Sequence, residues 1–235
     1  MSAPGDTLDL LARGALAVKG RLPWSSNATF LVEAAVDGTS TLAVYKPQRG
    51  ERPLWDFPPG LFRRELAAYH LSEALGWGLV PPTVRRDEGP YGQGSLQLFV
   101  HADFEQHYFT LREEPSYRER LQRICAFDVV ANNADRKGGH CLLAPDSAIY
   151  AIDNALTFHA EPKLRTVIWD FGGQPVPPDL LADLRRFATA RLDPPLAELL
   201  AAAERRALVA RARALADHGR FPEDPGGRSF PWPLV

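Results

Sequence analysis

Apolar and polar positions along the first hundred residues alternate between strand-like stretches punctuated by Gly and Pro and two helically spaced runs. Residues 7–19, TLDLLARGALAVK, set Leu8, Leu11, Ala15 and Val18 at helical spacing behind Thr7 or Asp6, which predicts a short leading helix. A turn follows, with Gly20, Pro23 and the small polar run Ser25, Ser26 and Asn27, and it feeds an apolar strand over 29–36. DGTS at 37–40 is a turn signal, and TLAVYKP is the returning strand of a hairpin that ends at Lys46 and Pro47. Pro and charged residues over 48–59 predict a loop. From Gly60, LFRRELAAYHLSEALGWG carries Leu61, Leu66, Tyr69, Leu71 and Leu75 with polar residues between them and closes on Gly76 and Gly78. This is the strongest helix of the first half. VPPTVRRDEGPYGQGSLQLFV then reads as strand, Gly-rich turn and strand.

The pattern changes over 99–102, and helices dominate beyond it. SYRERLQRICAFDVVANN places Leu121, Ile124, Cys125, Phe127 and Val129 on an apolar stripe that runs into a polar loop. CLLAP and AIYAID are two short strands. PPDLLADLRRFATARL and PPLAELLAAAERRALVARARALADHG are two helices, each started by Pro, the second stopped by Gly219. The last fifteen residues, rich in Pro and Gly, predict no regular structure. The expectation is an α+β chain of two lobes: 1–101 with a sheet and one packing helix, 102–220 helical and compact, and 221–235 an irregular tail. A length of 235 residues accommodates such a pair around a cleft.

Charge narrows the partners. With 27 basic and 29 acidic residues the net is −2, so no basic field marks nucleic acid as a partner. Two cysteines, Cys125 and Cys141, are too few for a disulfide framework and lack metal-binding spacing, which fits a reducing compartment. The N-terminal residues carry acids where a secretory signal needs basic ones, and no apolar run approaches the ~18 residues of a membrane span. A cytoplasmic location is expected. The basic residues comprise 23 Arg and only 4 Lys. In such a chain a lysine at a strand end is informative, because ammonium and guanidinium are not interchangeable at a phosphate.

The stretch FDVVANNADRKGGHCLL over 127–143, followed by AIYAIDNALTF, concentrates the candidate chemistry. It sets Asn133, Asp135, Arg136, His140 and Asp153 in a polar loop and on the strand after it, inside an apolar frame. Hiding an unpaired carboxylate there costs several kcal/mol, roughly, so the loop either faces water or has a task. Holding a metal ion and a nucleotide phosphate is that task on this reading.

NADRKGGH resembles the catalytic loop of the protein kinase-like superfamily, and is most similar to its atypical branch, the phosphatidylinositol 3- and 4-kinases and the HipA-type kinases, where DRH or DRHxxN takes the place of HRDxxxxN. The resemblance implies a two-lobed kinase-like fold whose N-lobe sheet binds ATP, a Mg²⁺ cofactor with Mn²⁺ as a substitute, and phosphoryl transfer to a hydroxyl on a protein side chain or an inositol-type polyol. It makes Asp135 the catalytic base, braced by Asn133 and Arg136. His140, five positions later, falls where kinases carry a metal-binding residue. Asp153, 18 residues after Asp135 and behind the apolar strand AIYAI, takes the place of the metal-binding acid. Lys46 and Glu65, 19 residues apart, stand where kinases form their ion pair, and Ser25, Ser26 and Asn27 cover the phosphates in place of a Gly-rich loop. A literal DFG at Asp170, Phe171 and Gly172 lies 35 residues after Asp135, before a Pro-rich turn, and is read as a coincidence. The chain departs from the pattern in His140 for asparagine, in Lys137 for the histidine of DRH, and in the missing glycines of the nucleotide loop.

Plainer readings stand beside these. Asp135 is a solvated loop acid, Asp153 a strand-end turn acid, Lys46 with Glu65 a surface ion pair, and Ser25, Ser26 and Asn27 an ordinary turn. Trp24, Trp55 and Trp77 are expected as core or lobe contacts rather than stacking platforms. Alternatives to the kinase are a non-catalytic, pseudokinase-like nucleotide-binding module, a nucleotidyl transferase on the same scaffold, and a small hydrolase with a metal on His140, Asp153 and Asp135.

Overall fold

The computed structural model describes residues 4–23, 27–224, 226 and 229–235. A five-stranded sheet in the order β1-β2-β3-β5-β4 is built from β1 (Ala15–Arg21), β2 (Phe30–Val36), β3 (Thr39–Pro47), β4 (Thr83–Arg86) and β5 (Gly94–Leu98), with every neighbouring pair antiparallel. The β2–β3 hairpin closes through Asp37 and Gly38, both at positive φ, as a two-residue turn matched to strand twist requires. Side chains on a strand alternate between its faces. On one face Val32, Ala34, Ala43, Tyr45 and Leu96 are buried with Leu11 of helix α1 (Pro4–Arg13). The same period sends Leu31, Val44 and Lys46 to the opposite face, where a cavity opens.

Helix α2 (Phe62–Leu75) packs against β4 and β5 of the sheet. Both carboxylate oxygens of Glu51 accept from the backbone at its start, from Gly60 N and Phe62 N at 2.8 Å each, and Gly76 ends it at φ 74°. Its residues Ala67, Ala68, Leu71 and Leu75 belong to the larger core, together with α4 (Arg118–Ala131), α5 (Pro178–Thr189), α7 (Ala202–His218) and the β6–β7 hairpin (Cys141–Leu143 with Ile149–Ala151). A short α3 (Tyr108–Leu111) and α6 (Pro194–Leu199) complete the helices of the described residues.

Several expectations are corrected. The leading helix stops at Arg13, and Ala15 and Val18 lie on β1 instead. Gly14 forces this: its N–H bonds Leu10 O at 2.9 Å, and a Cβ there would stand 2.9 Å from Ala35 N, so the chain turns at a point where only glycine fits against β2. Both helices expected in residues 1–101 are present, as α1 and α2. The last predicted helix is two, α6 and α7, broken where Leu200 turns extended to bury its side chain while Ala201 N bonds Glu204 Oε2 at 2.8 Å. Trp77 is buried as expected, but Trp55 is 94% exposed, so it is no core contact; Trp24 lies outside the described residues.

Candidate active site

The cavity between the sheet and the β6–β7 hairpin has a volume of about 470 Å³. Leu22, Leu31, Val44, Leu98, Phe99, Val100, Leu142 and Ile152 make its apolar part, and Lys46, His140 and Asp153 make its polar end. Val100 forms no hydrogen bond among the described residues, so its backbone N–H and carbonyl stay open beside the apolar wall. A flat heteroaromatic ring with donor and acceptor edges matches such a wall.

At the polar end three residues remote in sequence meet. Lys46 Nζ donates to Asp153 Oδ1 at 2.8 Å and also to Glu65 Oε1, while Glu65 Oε2 accepts from Asn154 N at 3.0 Å. Glu65 is buried, whereas nearly half of the Asp153 side chain opens into the cavity. Burial alone would lower the Lys46 ammonium, but Asp153 and Glu65 raise it above its ordinary range; Lys46 in turn holds Asp153 well below the usual carboxylate range. Both groups are ionised. Asp153 also sits at φ 57°, a left-handed conformation costing roughly 1–3 kcal/mol, which over-determined surroundings sustain.

Asp135 follows from the end of α4. Asn132 adopts φ 53° and ends the helix, then Asn133 N returns to Asp128 O at 2.9 Å and Asn133 Oδ1 accepts from Asp135 N at 2.9 Å. The Asp135 carboxyl is raised by burial, pulled back by Lys137, whose Nζ is 3.5 Å away, and raised again by Asp153. Arg136 lies fully buried beneath. Its Nε donates to Asp128 Oδ2 at 3.0 Å, Nη2 to Asp128 Oδ1 at 2.9 Å and to Asn154 Oδ1 at 2.7 Å, and Nη1 to Ile152 O at 2.6 Å. One guanidinium thus fixes the loop of Asp135 to α4 and to the segment of Asp153. Asn133 and Arg136, expected to brace the loop of a catalytic Asp135, are both buried beneath it.

His140 stands beside Asp153, with Nε2 3.4 Å from Oδ2. Burial lowers it to about 4 despite the carboxylate, so it is neutral near pH 7. Lys137 N donates to its Nδ1 at 3.3 Å, which leaves the ring proton on Nε2, facing Asp153. Coordinating an ion through Nε2 requires that proton to move and the Lys137 contact to be given up, a cost of about 1 kcal/mol. Among the described residues no group of three or more His, Cys, Asp or Glu side chains is arranged to hold a metal alone. The Asp153 carboxylate suits Mg²⁺, a hard cation that takes its remaining ligands from phosphate oxygens and water, whereas the His140 imidazole is a softer ligand than that ion prefers.

The turn expected to cover the phosphates is described only at Asn27, since Ser25 and Ser26 lie outside the described residues. Asn27 Oδ1 accepts from Arg52 N at 2.9 Å, and Ala28 N bonds Gly50 O at 3.0 Å, so the turn is tied to the loop after β3. Asp170 stays apart: it accepts from Tyr108 and, at 3.2 Å, from Arg112. Two residues of the site carry no motif signal of their own. Lys137, a departure from the DRH pattern, is the cation beside Asp135. Asp128, a lone acid within an apolar helical stripe, was the available sign that a buried cation had to face it.

No protein-family model matches the sequence. Protein Rv2133c of Mycobacterium tuberculosis (strain ATCC 25618 / H37Rv) is 42% identical over 271 aligned positions, which span 99% of this chain and 97% of that protein. The chain belongs to the Rv2133c family. Among solved structures, hydra Fam20 with sugar superposes with a TM-score of 0.54 at 14% identity, covering 89% of this chain and 86% of the other. The Helicobacter pylori proinflammatory kinase CtkA gives 0.50 at 12% identity, covering 90% and 94%. At such identities the likeness concerns the fold, which is α+β and protein kinase-like. No helix among the described residues is long and apolar enough to cross a membrane.

Proposed function

We propose that this protein is an ATP- and Mg²⁺-dependent phosphotransferase that moves a phosphoryl group to a hydroxyl on a protein side chain or an inositol-type polyol. The observation that carries the reading is the meeting of Lys46, Glu65 and Asp153 at the polar end of an apolar cleft, with Asp135 close enough for Asp153 to raise its carboxyl. Residues 1–101 then supply the nucleotide-binding lobe and 102–220 the lobe of the catalytic loop.

Phosphoryl transfer needs alignment and charge neutralisation more than covalent participation. Leu31, Val44 and Leu142 would take the adenine, and the backbone of Val100 its polar edge. Lys46, oriented by Glu65, neutralises the inner phosphates. Asp153 would hold the metal ion, with His140 beside it, and the ion would supply positive charge to the phosphates. Asp135 orients the acceptor hydroxyl and takes its proton as the acceptor oxygen bonds to the γ-phosphorus and the bond to the ADP oxygen breaks. Lys137 stands next to Asp135 as a second cation for the transferring group.

The test pairs equilibrium binding of Mg–ATP with transfer of label. Label from the γ-phosphate reaching the acceptor, lost in Asp135→Asn, supports the reading; label from the α-phosphate supports the nucleotidyl transferase. Binding without any turnover, indifferent to Asp135→Asn, leaves the pseudokinase-like module, and metal-dependent hydrolysis that survives Lys46→Ala leaves the hydrolase.

A further inference from the structure

The tail, left without a task by the phosphotransferase reading, returns to the catalytic loop. Ser229 O accepts from Thr166 N at 3.0 Å and from Trp169 Nε1 at 3.2 Å, and Leu234 O accepts from Gly138 N at 2.7 Å. Pro231, between these two anchors, is buried, while Trp232 beside it is 86% exposed. The tail is therefore held by its backbone and by Pro231, with Phe230 and Leu234 partly covered and Trp232 left outside.

What it grips matters. Thr166 forms a parallel bridge with Arg136: Arg136 N bonds Arg165 O at 3.1 Å and Val167 N bonds Arg136 O at 3.1 Å. Arg165 N bonds Asn133 O at 2.9 Å on the other side of Asp135. Asp135 thus rides on a backbone layer formed by 165–167, and Ser229 is the next layer out. Gly138 opens the single turn of 3-10 helix, Gly138–His140, that sets the direction of the His140 ring. A Cβ on Gly138 would stand 3.1 Å from the Phe109 ring and 3.3 Å from Leu234 O, so the residue is enclosed between α3 and the tail. A Cβ on Gly139 would lie 3.8 Å from Val235 Cγ1.

We infer that residues 229–235 are a strap that positions the catalytic loop, fixing Asp135 through the 165–167 layer and His140 through Gly138; as a statement about catalysis this rests on the phosphotransferase reading above. A loop clamped at Gly138 keeps the base and the imidazole in one register with Asp153. Misplacement of a reacting group by about 1 Å costs on the order of a hundredfold in rate. The strap acts on turnover and not on the apolar nucleotide wall, none of whose lining residues belongs to the tail.

The test uses the full chain carrying Pro231→Asp, which sets a carboxylate at a buried position and drives the strap off. Two readouts are taken: amide hydrogen exchange over 138–140, and release of phosphate from Mg–ATP with water as the acceptor. The expected result is faster exchange at Gly138, a kcat lowered by roughly tenfold or more, and a KM for ATP within about twofold of wild type. Adding Gly139→Cys and Val235→Cys to that variant and oxidising the pair re-clamps the strap, and kcat recovers. A merely structural tail would not give a crosslink-dependent kcat. Faster exchange with unchanged kcat overturns the proposal, as does a KM for ATP that rises in step with the fall in kcat. If Pro231→Asp does not fold, Gly138→Ala presses on the same contact from the loop side and is judged by the same two readouts. If wild type neither binds nor turns over Mg–ATP, the phosphotransferase reading is what fails; exchange at 138–140 still decides whether the strap holds the loop, and no change in Pro231→Asp rejects it.

Discussion

Lys46 Nζ stands 2.8 Å from Asp153 Oδ1 across 107 residues of sequence, and the same ammonium donates to the buried Glu65. One cation thus joins the sheet, α2 and the strand-end of β7. Replacing Lys46 with methionine removes the charge but keeps the stem. Nucleotide-dependent turnover is expected to vanish, and the stranded Glu65 carboxylate is expected to cost about 3 kcal/mol of stability. Adding Glu65→Gln recovers most of the stability and none of the turnover, as denaturant unfolding and phosphate release will record.

Asp135→Asn separates chemistry from binding. Loss of the proton acceptor lowers phosphoryl transfer by roughly 10²- to 10⁴-fold while Mg–ATP affinity stays within a few-fold of wild type. Calorimetric titration of the nucleotide beside a transfer assay checks both halves.

The pH response follows from burial of the same group. Burial raises the Asp135 carboxyl, so the acid limb of kcat lies above the ordinary aspartate value of about 4, with activity present above the limb and lost as pH falls through it. For stability the sign is opposite. The native protein holds this proton more tightly than the unfolded chain, so the ionised carboxylate opposes folding at neutral pH. Asp135→Asn is therefore expected to raise the melting temperature at pH 7, and that gain is expected to shrink as pH falls through the native pKa.

Arg136 and Asp128 form a fully buried pair, and removing one partner leaves the other without compensation. Arg136→Met is expected to cost about 3–5 kcal/mol, and Arg136→Met with Asp128→Asn markedly less, in urea unfolding. Asn133 and Thr166 donate to the same Asp128 carboxylate, so the rescue is partial.

His140→Asn tests the departure from the kinase pattern. An amide oxygen is a harder ligand than imidazole and needs no tautomer change, so turnover is expected to persist, with the preference for Mg²⁺ over Mn²⁺ strengthened. Activity measured across a matched series of the two ions decides it.

Much of the site was legible because its signals are local. Lys46 at the end of a hairpin strand, Glu65 in the first turn of a helix and Asp153 behind AIYAI each sit on an element that the sequence pattern reveals, and the structure brings the three together. The errors arose where tertiary contact overrode the local pattern. Nothing in the helical spacing of 7–19 discloses that Gly14 must lie against Ala35, and the run of alanines after Leu200 conceals a break made to bury that leucine. The return of the tail to Gly138 was invisible for a related reason: it is made by backbone carbonyls, which every sequence possesses.

Helix α2 sets a limit on how this protein can be governed. Its Ala67, Leu71 and Leu75 are sunk in the helical core, and Arg64 on the same helix is bonded to Thr157 O and, at 2.5 Å, to Glu204 Oε1. Swinging α2 outward to part Glu65 from Lys46 would bare two leucines at roughly 1.5–3 kcal/mol each and break the anchors of Arg64 as well. Packing of α2 thus holds the ion pair in place. A phosphotransferase built on it would be controlled through what reaches the cleft and through the segments around Asp135 rather than through a toggling helix.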